Sequence, residues 1–229
     1  MDPEVLAFVT SEVGAAAMES PQDDEAGKKA IELMAMVNKV SSEDMIELAA
    51  EYGQPLRGQT IIELGPGAGY ATKHLLATKN PACVLAYEVS PAFRKVLNED
   101  EAIMTAVASG ILTIRGDDSR SMPDVPNSSV DVIFGMNVVY FLRPLDSYLA
   151  EMLRVLKPGG WIIFGTKMNG AKVGCATSFV NTDVEAIIAQ MTAAGFSNAA
   201  AAAMRLATDP PTPGMYVPVV CQKPPAVTS

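Results

Sequence analysis

IIELGPGAGY, at residues 61–70, is the most informative stretch of this chain, because an apolar strand runs directly into a glycine-rich turn. The strand ends at Leu64, and Gly65, Gly67 and Gly69 then lead into the next helix. Glycine accepts a positive φ and allows a ligand to approach the backbone closely. Ligands of open α/β sheets bind at the carboxyl ends of the strands. The turn is therefore a candidate binding loop.

On both sides of this loop, short apolar runs alternate with helical stretches. The predicted strands are 60–64, 83–88, 111–115, 130–135 and 160–166. The predicted helices are roughly 68–79, 91–108, 144–156 and 183–194. Continuous apolar strands separated by crossover helices indicate a parallel sheet covered on both faces. The tail departs from this alternation: 199–207 and 215–223, around a proline-rich loop at 209–213, predict two late strands and an antiparallel edge.

The N-terminal segment has a different, helical pattern. Residues 26–40 place apolar side chains on one face, and Ser41 with Asp44 predicts a capping box that opens a second helix. We expect residues 1–57 to form a helical lid over the rest of the chain, 58–229. Four methionines of this segment either line an apolar pocket or pack in the core: Met18, Met34, Met36 and Met45.

Composition and charge narrow the class of partner. The 229 residues are 49% apolar, which suits a large buried core, and carry a formal net charge of −9. Eleven acids and three bases fall within residues 1–50, so the acidity belongs to the N-terminal segment. Such a chain is a poor match for nucleic-acid phosphates or an anionic membrane. If the acids face an entrance, they favour a cationic or neutral ligand.

Cysteine usage and hydropathy give further expectations. Cys83, Cys175 and Cys221 are far apart and form no CxxC pair, which argues against a disulfide framework or a cysteine metal site. No apolar run reaches the ~20 residues of a membrane span, and the acidic N-terminus does not resemble a signal peptide. We expect a cytoplasmic protein without a metal ion and leave its oligomeric state open.

Acidic residues at the ends of successive strands suggest how a ligand is held. Glu63 inside the first strand suits a cationic amino group, and Glu88 at the end of the second can accept hydrogen bonds from ribose hydroxyls. Asp117 and Asp118 follow the third strand, where an acid either receives an adenine N–H or caps a turn. A dinucleotide fingerprint would need glycine at position 70, where Tyr70 stands. An NAD-dependent oxidoreductase is therefore a disfavoured alternative.

The ordered motifs ELGPGAG, YEVSP, GDD, SVDVIFGMNVVYFL and LRVLKPGGWIIFGT, within about 58–168, resemble class I S-adenosylmethionine-dependent methyltransferases, in the small-molecule "type 11" branch. The resemblance implies a Rossmann-like, seven-stranded, mostly parallel α/β sheet in the order 3-2-1-4-5-7-6, with the last strand antiparallel. It implies S-adenosylmethionine as cofactor and S-adenosylhomocysteine as product. The cofactor-binding residues that it implies are Glu63, Gly65, Pro66, Gly67, Gly69, Glu88, Val89, Asp117, Asp118, Met136 and Asn137.

The implied activity is methyl transfer to a small organic acceptor by in-line attack, driven by orientation and a dry pocket. A general base is needed only if the acceptor must lose a proton. Tyr140, after the fourth strand, is the candidate catalytic residue, or else packs under the lid. The single histidine, His74, is expected to be packed or on the surface, and Arg143 and Lys167 either attract a carboxylate or are solvated. A non-catalytic binding or regulatory module with the same fold is the main alternative.

Overall fold

The computed structural model describes residues 3–53, 56–167, 175–207 and 214–226, and its centre is a twisted sheet. The strands are β1 (Thr60–Leu64), β2 (Cys83–Tyr87), β3 (Leu112–Arg115), β4 (Val130–Met136), β5 (Leu156–Thr166), β6 (Ser197–Ala201), β7 (Arg205–Ala207) and β8 (Gly214–Gln222). Their order is β3-β2-β1-β4-β5-β8-β6, and the short β7 pairs with β8 beside this path.

Strand direction confirms the expected topology. Pairs within β1 to β5 are parallel, whereas β8 runs antiparallel to both β5 and β6. With the three-residue β7 set aside, the order is the predicted 3-2-1-4-5-7-6. The predicted late strand at 199–207 is divided between β6 and β7, and the proline-rich loop at 209–213 lies outside the described residues.

Helices cover both faces of the sheet. They are α1 (Pro3–Thr10), α2 (Glu12–Glu19), α3 (Glu25–Gly53), α4 (Tyr70–Lys79), α5 (Pro91–Glu99), α6 (Glu101–Ala108), α7 (Leu145–Val155) and α8 (Val184–Ala193), with a 3-10 turn at Val139–Phe141. One buried cluster holds Met45 and Leu75 from α3 and α4, and another holds Leu149 and Met191 from α7 and α8. Within the described ranges, no helix combines the length and apolarity needed to cross a membrane.

Two predicted helix boundaries are wrong, and tertiary contacts explain the first. A single helix, α3, passes through Ser41, because that residue is fully buried and its hydroxyl donates to the Asn38 carbonyl at 3.1 Å. Asp44 is not part of a cap, since its carboxylate accepts from Arg205 Nε at 2.8 Å. The predicted helix 91–108 is two helices, because the Asp100 side chain caps the start of α6.

The N-terminal helices contact the core at several points around the carboxyl ends of the strands. Ser90 Oγ donates to the Pro21 carbonyl at 2.6 Å, and Arg143 pairs with Glu19 at the end of α2. The second half of α3, including the fully buried Met45, packs on the sheet itself. The first half of α3 and α2 therefore lie over the strand ends, whereas a domain boundary at residue 57 stays a prediction.

Candidate functional site

A cavity of about 300 Å³ lies at the carboxyl ends of the parallel strands, between the glycine turn and the N-terminal helices. Most of the sequence-predicted cofactor residues line it: Glu63, Gly65, Pro66, Gly67, Glu88, Val89, Asp117, Asp118, Met136 and Asn137. Gly69 and Tyr140 are not among its lining residues. The fold thus brings together side chains that the sequence separates by more than seventy positions.

The glycine turn owes its shape to left-handed backbone conformations. Gly65, Gly67 and Gly69 have φ values of 61°, 56° and 77°, which side-chain-bearing residues rarely adopt. Gly69 immediately precedes α4 and does not line the cavity, and a Cβ added to it would lie 2.8 Å from Leu97 Cδ2. The first two glycines therefore leave the cavity floor open, whereas the third allows close packing of the helix layer.

Glu63 is a buried carboxyl on the cavity wall. Its Oε2 accepts a hydrogen bond of 2.6 Å from Thr72 Oγ1 on α4, and only 3% of the residue is exposed. Burial raises the pKa of Glu63 to about 8, against the lowering effect of the Thr72 bond and with a smaller contribution from Glu88. In the described part of the chain, no basic side chain forms an ion pair with Glu63. The cavity wall can therefore accept a positively charged ligand group beside Glu63.

Glu88 is held rigidly beside the turn. Its two oxygens accept from the backbone N–H of Gly67 at 3.0 Å and of Ser90 at 2.9 Å. Burial raises the pKa of Glu88, while these two backbone bonds and the nearby Arg94 oppose the increase. The bonds fix the carboxylate at the cavity wall, where its remaining lone pairs can accept hydroxyl protons.

The two aspartates after β3 differ in their surroundings. Asp117 is exposed, whereas Asp118 accepts from the Arg120 backbone at 2.9 Å and from Arg120 Nε at 2.8 Å. Burial alone would raise the pKa of Asp118, but the Arg120 bonds and a bond from Tyr148 outweigh it and lower the pKa. Among the described residues, none donates a hydrogen bond to the Asp117 carboxylate, whereas Asp118 organises its own loop.

A polar cluster lies at the other end of the cavity, where β4 and β5 end. Asn137 has a φ of 56°, and its Oδ1 accepts from Tyr140 Oη at 3.0 Å and from the Lys167 backbone N–H at 3.1 Å. Its Nδ2 donates to Asn38 Oδ1 at 2.8 Å. Asn38, on α3, also lines the cavity, and sequence patterning did not find it because the residue reads as part of an ordinary helix.

Tyr140, the expected catalytic residue, is nearly fully buried. Its hydroxyl donates to Asn137 and accepts from the Lys167 backbone N–H. Burial raises the pKa of Tyr140 far above its ordinary value, while the Lys167 bond opposes the increase, so the phenol is neutral at physiological pH. The geometry gives Tyr140 a structural contact with Asn137 and leaves no hydroxyl proton for a ligand.

The lid side of the cavity is mostly apolar. Met18 of α2 and Met34 of α3 face Phe141 and Leu142 across it. Met45 is instead a fully buried core residue, and the Met36 side chain lies outside the described residues. Outside the cavity, His74 contacts Glu47 at 2.9 Å, which agrees with the expected structural role.

Comparison with known proteins finds similarity to methyltransferases. The family described as a methyltransferase domain, of the type 11 branch, matches residues 62–164. A malonyl-acyl-carrier-protein O-methyltransferase of Hahella chejuensis is 32% identical over 138 residues, which are 59% of this chain and 44% of that protein. A phthiotriol/phenolphthiotriol dimycocerosates methyltransferase of Mycobacterium leprae is 28% identical over 119 residues, 52% of this chain and 42% of that protein. The chain spans less than half the length of either relative.

Solved structures share the fold at low sequence identity. A chain of the complex between the Haloferax volcanii Trm112 methyltransferase activator and a methyltransferase has a TM-score of 0.66 at 18% identity, covering 92% of this chain and 100% of that one. A SAM-dependent methyltransferase from Aquifex aeolicus has a TM-score of 0.60 at 17% identity, covering 85% and 97%. These likenesses confirm the expected fold, and the family match does not favour the oxidoreductase or the non-catalytic module.

Proposed function

We propose that the protein transfers a methyl group from S-adenosylmethionine to a small organic acceptor, because residues 62–164 match a methyltransferase-domain family of the type 11 branch. The supporting observation is the two-sided cavity. One wall of the cavity is formed by the glycine turn with Glu63 and Glu88, and the opposite wall by the apolar lid with Met18 and Met34.

The residues of the first wall fit the cofactor by charge and shape. Gly65 and Gly67 form a floor without side chains, and Glu63 offers a buried carboxylate to the cofactor's amino group. Glu88, already oriented by two backbone bonds, accepts from the ribose hydroxyls, and Asp117 accepts from the adenine amino group. Val89, Met136 and the remaining cavity residues close the contact by packing.

Catalysis in this proposal comes from positioning and water exclusion. S-adenosylmethionine supplies a methyl group on a positively charged sulfur, which is already a strong electrophile. Well-oriented reactants gain roughly 7–11 kcal/mol over separate ones, so a protein base is required only for an acceptor that must lose a proton. We assign Tyr140 a positioning role through Asn137, in place of direct catalysis, because its hydroxyl is engaged at both ends.

The lid in this proposal comprises α1, α2 and the first half of α3. The Ser90–Pro21 hydrogen bond anchors it near the cofactor end, and the Arg143–Glu19 pair anchors it near the acceptor end. With both anchors in place, Met18 and Met34 exclude water from the acceptor.

Calorimetric titration with S-adenosylmethionine and S-adenosylhomocysteine tests the cofactor. We expect micromolar binding by the wild type, and binding at least about tenfold weaker by Glu88→Ala, since the variant loses charged hydrogen bonds to the ribose. Glu99→Gln, on the exposed side of α5, is the control that also removes one negative charge. Production of S-adenosylhomocysteine with a panel of acceptors then tests turnover. Absence of binding to both compounds refutes the proposal.

A further inference from the structure

The polar cluster at the ends of β4 and β5 has a fixed arrangement of donors and acceptors. Lys167 Nζ donates to Asn38 Oδ1 at 3.3 Å, and Asn137 Nδ2 donates to the same oxygen at 2.8 Å. An ammonium group has no acceptor, so the Asn38 carbonyl oxygen must face Lys167. The orientation of the Asn38 amide is therefore determined by its neighbours.

This orientation leaves the Asn38 amide nitrogen available to a ligand. Among the described residues, none accepts a hydrogen bond from Asn38 Nδ2, although Asn38 lines the cavity. Donation by Lys167 and Asn137 to the carbonyl polarises the amide and makes its N–H₂ a stronger donor. Asn38 is half-buried at the cavity wall, so this amide donor can bond to a ligand oxygen that enters the cavity.

The charges around Asn38 favour an anionic ligand. Lys167 follows β5, whereas Glu88, Asp117 and Asp118 follow β2 and β3 at the other end of the cavity. Glu63 lies within β1, two strands away from β5. Glu19, an acid of the lid that lines the cavity, is paired with Arg143. Burial lowers the pKa of Lys167 to about 8, which leaves the amine mostly cationic at pH 7.

The acidic lid does not reverse this polarity. Asp23 pairs with Lys95 on α5 at 3.4 Å, and Asp24 accepts from the Gly27 N–H at 2.7 Å, outside the cavity lining in both cases. Asp23 and Asp24 therefore do not support the expectation that the lid acids select a cationic or neutral acceptor, because neither residue lines the cavity.

We propose that Asn38 is a specificity-determining residue whose amide nitrogen binds a carboxylate oxygen of the methyl acceptor. The inference rests on the proposed function and narrows its substrate class. The neighbouring Met18, Met34, Phe141 and Leu142 contact the apolar part of this acceptor. The acceptor class is thus a carboxylic acid with a short apolar body.

Titration of the S-adenosylhomocysteine-saturated protein with straight-chain carboxylates of about four to eight carbons tests this inference. We expect the wild type to bind hexanoate and not hexylamine, since the second is a cation of the same shape. Asn38→Asp should weaken hexanoate binding at least about tenfold, because the variant replaces a donor by a negative charge. Asn198→Asp, an exposed substitution with the same charge change, should bind hexanoate like the wild type.

A second variant and a second ligand pair keep the test decisive. Lys167→Gln retains a hydrogen-bond donor to Asn38 but removes the positive charge, so it should weaken hexanoate binding severalfold. Its thermal midpoint of unfolding shows whether the variant is folded. If Asn38→Asp weakens S-adenosylhomocysteine but not 5′-methylthioadenosine, Asn38 binds the cofactor's carboxylate and the inference is overturned. If the wild type binds S-adenosylhomocysteine but binds none of the carboxylates, the inference is also overturned, whereas the proposed function still stands. Loss of S-adenosylhomocysteine binding in the wild type refutes both.

Discussion

Cofactor binding should release a proton from Glu63. Burial raises the pKa of this carboxyl to about 8 in the free protein, so about nine-tenths of it is protonated at pH 7. The positive amino group of S-adenosylmethionine should ionise it. Affinity should then increase about tenfold from pH 6 to pH 7, which corresponds to about 1.4 kcal/mol of binding free energy.

Calorimetry in buffers of different ionisation enthalpy measures this proton release directly. We expect about 0.9 protons per cofactor at pH 7 in the wild type, and none with Glu63→Gln, which cannot ionise. 5′-Methylthioadenosine lacks the amino group and should release no proton from the wild type. Wild-type binding of S-adenosylmethionine without proton release would show that the carboxyl does not change its charge, and the reasoning would be wrong.

The Glu63 carboxyl should also make stability depend on pH, but stability should decrease as the pH rises, whereas cofactor affinity should increase. Its pKa in the folded state is higher than the ordinary value of 4.5, so the free energy of unfolding falls as the pH rises from about 4.5 to about 8. Each pH unit in this window costs about 1.4 kcal/mol, an upper value that assumes no relaxation of the site. Glu63→Gln should reduce this slope in urea unfolding at several pH values, with Glu88 contributing the remainder, and an unchanged slope would contradict the assignment.

Three further predictions follow from single contacts. Tyr140→Phe should lower turnover less than about tenfold, whereas loss of a general base would cost about 10²–10⁴-fold in steady-state rate measurements. Gly69→Ala should lower the free energy of unfolding by about 2–4 kcal/mol, and more than Gly110→Ala, because both have a positive φ but only the first also meets a side chain. Asp44→Asn should cost about 1 kcal/mol near neutral pH, because it weakens the contact with Arg205. The Arg205 bond lowers the pKa of Asp44 against the effect of burial, so this cost should disappear as the pH falls below the ordinary aspartate range.

Most of the sheet could be predicted from local patterns. Predicted strand starts agree with β1 and β2 to the residue, because continuous apolar runs bounded by polar turns act over a few neighbouring positions. The start of β5 shows the largest difference: the strand is predicted from Gly160, whereas β5 starts at Leu156, since the segment before Gly160 also pairs with β4. Pairing depends on the neighbouring strand, which a single run of sequence does not contain.

The candidate cofactor wall could likewise be predicted from the sequence, whereas the polar cluster at the ends of β4 and β5 could not. Glu63 and Glu88 stand at strand ends that any parallel sheet places side by side, so their meeting follows from topology. Tyr140 was chosen by proximity in sequence, yet the direction of its hydroxyl depends on Asn137 and Lys167. The roles of Glu63 and Glu88 as cofactor ligands stay predictions.

The placement of glycines is a property of single residues, and apolar periodicity is a property of short segments. The sequence alone therefore specifies the parallel sheet and the binding loop. The contact of Asn38 with Lys167 joins residues 129 positions apart. It exists only because α3 passes unbroken over the strand ends, and that path is chosen by burial of Ser41 and by the Asp44–Arg205 pair, against the local capping signal. Packing, which sums interactions from the whole chain, thus decides how the polar groups at the ends of β4 and β5 are arranged.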